Sequence, residues 1–128
     1  MTSQEITVVY KWTAKPGKGT ELKAMYEVVV EEAKANEPGA YRFDVYEVRE
    51  SGDLMIVDVF RDGAALGEHL GGTAAKFFPK LSEIADPGPF FFCGNVPDEL
   101  MQAADGMNMG AIFGTHAFGF TRGPANMA

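Results

Sequence analysis

Residues 54 to 61, LMIVDVFR, place Leu54, Ile56 and Phe60 on one side of an extended chain and Met55, Val57 and Val59 on the other. Successive side chains of a strand alternate faces, so this strand is apolar on both sides. With 128 residues, the chain has the length of one domain and can bury roughly two thirds of the surface its unfolded form exposes. The helices of so short a chain cover only one face of a sheet. Leaving about six large side chains of the other face in water forgoes on the order of 10 kcal/mol, at about 1.5–3 kcal/mol each. The strand therefore predicts a second copy of the chain on the open face, a twofold homodimer of back-to-back sheets, the commonest kind of assembly.

Residues 6 to 14, ITVVYKWTA, set Ile6, Val8, Tyr10 and Trp12 against Thr7, Val9, Lys11 and Thr13 and also read as a strand. After Pro16-Gly17, Leu22, Met25, Tyr26, Val29, Val30 and Ala33 recur at steps of three and four among Glu and Lys. That spacing predicts an amphipathic helix ending near Asn36, before Pro38-Gly39. Residues 40 to 49, AYRFDVYEVR, pair with 54 to 61 across the turn ESGD as a β-hairpin, with a bulge or a change of exposed face expected where the apolar alternation shifts between Val45 and Tyr46.

Asp62 caps a helix over AALGEHL, and the flexible Gly71-Gly72 separates it from a helical stretch carrying Phe77, Phe78, Leu81, Ile84 and Ala85. Asp86-Pro87-Gly88-Pro89 ends that stretch, FFFCGNV reads as a strand buried on both faces, and Asn95, Pro97, Asp98 and Glu99 open a last helix. The order predicts an α+β fold, an antiparallel sheet with helices on one face, occupying residues 1–105 with the last helix included. Residues 106–128 form a glycine-rich extension in which Arg122 is the sole charged side chain; AIFGTHAFGFTR is either a strand or an irregular docked segment, and GPANMA is expected to fray.

Eighteen acidic side chains against eleven Lys and Arg give a net charge of −7, which repels phosphate backbones and anionic bilayers, so neither nucleic acid nor membrane is an expected partner. Cys93 is the lone cysteine, which leaves no internal disulfide and no multi-cysteine metal site. The start, MTSQEITVVYKW, lacks the basic and apolar regions of a leader, and no window approaches the roughly 18 apolar residues of a membrane span, so a cytoplasmic location is expected.

Several chemistries lack their residues. GKGTEL, between the first strand and helix, misses the third glycine of a dinucleotide loop and would set Glu21 against a pyrophosphate. No GxxxxGK[ST], GxSxG or HExxH occurs, and Ser3, Ser51 and Ser82 lie in the terminus, a turn and a helix. His69 and His116 have no carboxylate or cysteine at ligand spacing, so no metal is expected.

His69, three residues after Leu66 and just before Leu70, sits at the border of its helix's buried face. It is either a proton acceptor reaching a cavity above the sheet or a partly buried cap or surface histidine. Asp58 interrupts an apolar strand, where an unpaired carboxylate costs several kcal/mol. It is either a polar group in a ligand cavity with a raised pKa or, the simpler reading, an ion pair with Arg42, Arg49 or Lys11. Tyr10, Trp12, Phe43, Phe60 and Phe77 are the aromatic residues placed to line a space between helices and sheet, suited to a small apolar or aromatic molecule. Met101, Met107 and Met109 form either a pliable lid or ordinary packing.

The runs VVYKWTAKPGKGTELKAMYE, EPGAYRFDVYE and LMIVDVFRDGAALGEHL resemble the antibiotic biosynthesis monooxygenase domain over about residues 6 to 95. The resemblance implies a ferredoxin-like dimeric α+β barrel. The family includes oxygenases of polyketide aromatics that use no metal or flavin, quinol oxygenases, haem-degrading enzymes and proteins without known activity, so fold does not settle function. Its acidic-x-Trp pattern at the end of the third strand becomes Asp58 and Phe60, and of its two helix histidines His69 matches the first while Ala74 replaces the second. The haem-degrading branch's Asn, Trp and His fall on Tyr10, His69 and Pro79, which argues against haem degradation. The expected activity is a cofactor-free oxygenase in which His69, assisted by Tyr10 or Asp58, removes a proton from an electron-rich substrate. The alternatives are a non-catalytic dimeric binding protein and an isomerase or lyase on the same scaffold.

Overall fold

The computed structural model describes residues 4–122; the GPANMA segment and Ser3 lie outside them. The elements are β1 (Ile6–Ala14), α1 (Gly19–Asn36), β2 (Ala40–Glu47), β3 (Leu54–Phe60), α2 (Gly63–His69), a π-turn (Leu70–Ala74), α3 (Ala75–Ile84), β4 (Ala85–Cys93), α4 (Asp98–Gly106) and β5 (Ala111–Gly114). Without α4 and β5 this is a βαββαβ chain, and its sheet runs β2-β3-β1-β4-β5. The fold is therefore α+β and ferredoxin-like, with an open sheet. Among the described residues, no helix is long and apolar enough to cross a membrane.

The sheet is mixed rather than antiparallel throughout. β1 pairs antiparallel with both β3 and β4, and β2 with β3, but β5 lies parallel to β4, Phe90 opposite Ala111 and Phe92 opposite Phe113. The reversal follows from α4, which carries the chain back along the sheet before β5 adds to its edge.

Four local expectations are corrected. The bulge in β2 falls at Tyr41, because the register passes from Ala40 opposite Phe60 to Arg42 opposite Val59. Phe43 and Val45 thereby share the face of Asp58 and Ile56, while Tyr41 is expelled and exposed. Gly71 and Gly72 do not separate two helices; they run through the π-turn in a continuous helical path, held by the packing of Leu70, Thr73 and Ala74. Asp86-Pro87-Gly88-Pro89 belongs to β4. Between Tyr10 opposite Phe90 and Trp12 opposite Pro87, β4 carries an extra residue, and that bulge admits prolines that a regular ladder would exclude. Nor is β4 buried on both sides: Phe90 and Phe92 face the core, whereas Phe91 and Cys93 are exposed.

Ile6, Val8, Tyr10 and Trp12 of β1, Leu54, Ile56 and Phe60 of β3 and Phe90 and Phe92 of β4 meet α1, α2 and α3 in one core. The opposite face keeps a row in register across four strands, Val57, Val9, Phe91 and Ile112, of which Val9, Phe91 and Ile112 are exposed together with neighbouring Met55.

Candidate functional site

Gly39 sets the geometry on which the site depends. A Cβ there would lie 2.5 Å from the Cβ of Ala65, so glycine lets α2 approach the start of β2. That approach brings His69, the last residue of α2, against Glu37, the residue following α1. The Glu37 carboxylate accepts from His69 Nδ1 at 2.9 Å and from the Thr73 hydroxyl of the π-turn. A carboxylate offers no hydrogen, so Nδ1 holds the proton and Nε2 is the basic nitrogen of the ring. The imidazole is buried and wedged between Phe60, 5.1 Å between ring centres, and Phe43, 5.7 Å. Burial opposes ionisation of Glu37, but the contacts from His69 and Thr73 outweigh it and hold its pKa below the ordinary value.

A second polar chain crosses the sheet. The Tyr26 hydroxyl donates to the Tyr10 oxygen at 3.4 Å, and the Tyr10 hydroxyl donates to Asp58 Oδ2 at 2.9 Å. Burial pushes the Asp58 carboxyl up to about 7, against the opposing influence of His69 and the Tyr10 hydrogen bond. Burial and the neighbouring Asp58 likewise hold the Tyr10 phenol well above its usual range, and burial raises that of Tyr26. The ion pair expected for Asp58 is not formed among the described residues: Arg42 pairs with Asp44 and Lys11 with Asp53, both on other surfaces.

Tyr10, Trp12, Asp58, Phe60, His69 and Phe77 all line one cavity between sheet and helices, about 40 Å³ in volume. Phe43 lies outside it, in the adjoining groove with Val45 and Glu47, and backs the cavity-lining rings of His69 and Tyr26. Met107 and Met109 close the wall after α4, whereas Met101 does not reach it. The space holds about three or four water molecules, since one occupies roughly 10–15 Å³ on this measure. An organic ligand must displace part of the wall to enter.

Glu37, Thr73 and Tyr26 escaped sequence reasoning. Glu37 is 32 residues from His69, and its one local signal is its place before Pro38-Gly39, the pair that aligns the two helices. His116 lies on the exposed segment after β5. No group of three or more His, Cys, Asp or Glu among the described residues is arranged to hold a metal ion.

The family model for antibiotic biosynthesis monooxygenase matches residues 5–80. Rv0793 of Mycobacterium tuberculosis is 30% identical over 71 residues, 56% of this chain and 68% of that protein. A conserved protein of Methanosarcina mazei has a similar structure at 27% identity, with a TM-score of 0.61 over 70% of this chain and 90% of its own. MupZ of Pseudomonas fluorescens, 18% identical, shares the fold over 95% of this chain and 92% of its own, with a TM-score of 0.76, so the likeness extends past β4. On the match of the family model, which spans more than half of its residues, this chain belongs to the antibiotic biosynthesis monooxygenase family.

Proposed function

We propose that the protein is an oxygenase of a small, electron-rich aromatic compound, needing no bound cofactor and acting as a cytoplasmic homodimer. Residues 1–105 form its working domain and 106–128 an extension of it. The observation that carries the reading is the His69–Glu37 pair, which presents a basic Nε2 in an apolar cavity also lined by the Asp58 carboxyl. His69 takes a proton from the substrate, and Glu37 steadies the imidazolium that forms. Tyr10 and Asp58 line the same cavity and serve as hydrogen-bonding groups for the substrate's oxygens. Trp12, Phe60 and Phe77 contact its ring, Phe43 backs His69, and the apolar wall excludes water.

The resulting anion reduces oxygen. For a substrate with an activated CH₂ the balance closes without a reductant: carbon loses both hydrogens and gains one oxygen atom as a carbonyl, and the second oxygen atom leaves with those hydrogens as water. The Val9, Phe91 and Ile112 face supports the dimer, because a second sheet removes it from water.

An oxygen-electrode screen of quinols and polyphenols tests the reading. The expected result is oxygen uptake with product formation, lost in His69→Ala. Conversion without oxygen identifies an isomerase or lyase instead, and binding without conversion a carrier; either result removes the oxygenase assignment.

A further inference from the structure

Two buried side-chain polar atoms among the described residues have no hydrogen-bond partner, Trp12 Nε1 and Asp58 Oδ1. Leaving either unpaired costs about 1–3 kcal/mol, and such groups in a folded protein call for an explanation. Both residues line the same cavity. The indole N–H faces the Tyr26 hydroxyl closely enough to favour its phenolate but does not complete a hydrogen bond. Asp58 spends Oδ2 on Tyr10 and leaves Oδ1 open.

The two atoms differ in kind. Indole N–H only donates, whereas a carboxyl oxygen accepts a hydroxyl hydrogen when ionised and can donate when protonated. Trp12 lies four positions along β1 from Val8, the residue opposite Asp58, a backbone separation of about 13 Å. The two open atoms therefore flank one polar chain, Tyr26 hydroxyl to Tyr10 hydroxyl to Asp58, and both residues line the cavity together with Phe77 and Phe90.

We propose that Trp12 Nε1 and Asp58 Oδ1 are the polar anchors of the ligand site, and that it takes an aromatic molecule with a carbonyl-type acceptor at one end and a hydroxyl at the other. The acceptor meets the indole N–H, and the hydroxyl meets the Asp58 carboxyl. The proposal rests on the cavity being the substrate site and adds the substituents its substrate must carry.

Trp12 is the sole tryptophan of the chain, so its indole N–H gives a single nuclear magnetic resonance signal. The probes are 4-hydroxyacetophenone, acetophenone, phenol and ethylbenzene, titrated into the intact protein. Both ketones are expected to move the indole proton downfield, as an added acceptor does, while phenol and ethylbenzene leave it in place. 4-Hydroxyacetophenone is expected to bind about tenfold more tightly than acetophenone, one hydrogen bond's worth, and Asp58→Leu to reduce that ratio to near one.

An indole signal that ignores both ketones, or that responds equally to ethylbenzene, overturns the proposal, and so does an unchanged ratio in Asp58→Leu. The indole measurement uses unmutated protein and does not depend on any variant folding. Oxygen uptake is read separately. A ketone-specific shift with no oxygen consumption by any compound supports the anchors and removes the oxygenase reading. Turnover with a static indole signal overturns the anchors and leaves that reading intact.

Discussion

Tyr10 and Asp58 are diagonal neighbours on adjacent strands: Tyr10 lies opposite Ile56, Asp58 opposite Val8, and the phenol bridges the offset to reach Oδ2 at 2.9 Å. The contact gives a nearly inaccessible carboxyl one hydrogen bond and leaves the rest of its desolvation uncompensated, which is why its pKa rises to about 7.

A defined pH dependence follows. The unfolded chain releases the Asp58 proton near 3.8 and the folded protein near 7, so across that interval the fold retains a proton the unfolded chain has lost. Raising the pH through it weakens the fold, by on the order of 4 kcal/mol once both states are ionised. Asp58→Asn removes that slope. Denaturant titrations at pH 4 and pH 8 are expected to show the variant gaining on the parent protein by several kcal/mol at the higher pH; a constant difference refutes this.

Glu37 contributes with the opposite sign. Its folded pKa lies below the ordinary 4.5, so its contribution is complete above that value and is lost as acid protonates it through the folded pKa. Glu37→Gln is expected to flatten the acid limb of the stability curve and to lower turnover, by less than the roughly 10²–10⁴-fold loss expected for His69→Ala. Thr73→Val removes one donor to the carboxylate and is expected to cost about 1.5–3 kcal/mol by thermal or chemical unfolding.

Gly39→Ala tests how the two helices are brought together. The added methyl must push Ala65 and α2 away, at about 1–3 kcal/mol, and this also loosens the His69–Glu37 contact. Gly71→Ala and Gly72→Ala meet nothing within 4 Å and lie in helical backbone, so each is expected to stabilise by up to about 1 kcal/mol. In stopped-flow binding the stiffened π-turn is expected to slow ligand association. An unchanged association rate eliminates this turn as the moving part of the wall.

Phe91 stands in the exposed apolar row between Val9 and Ile112. Phe91→Glu places a charge at its centre and is expected to convert a dimer into monomers in sedimentation velocity, without loss of helical circular dichroism. Monomeric sedimentation of the parent protein refutes the shared face.

The sequence made the local periodicities legible, and with them β1, α1, β3 and the two-sided character of the sheet, because such patterns need only neighbouring residues. Tyr10, Trp12, Asp58, Phe60, His69 and Phe77 were singled out from face and residue type alone, and the fold assembles them around one cavity. What stayed hidden depends on distant partners. Pro87 and Pro89 signal a loop until β1 is known to accept a bulged strand beside it. Gly71 and Gly72 signal a break until the packing of Leu70 and Thr73 outweighs their propensity. Glu37 pairs with His69 only because Gly39 admits α2, a fact of three-dimensional spacing.

The parallel seating of β5 governs how molecules of this protein can aggregate. One rim of the sheet ends in a four-residue strand, and the other is broken at Tyr41 and studded with Arg42, Asp44 and Glu47. Amyloid-like stacking recruits long, flat, uncharged rims, and neither side supplies one. Neither rim of this sheet therefore offers a template for edgewise filament growth.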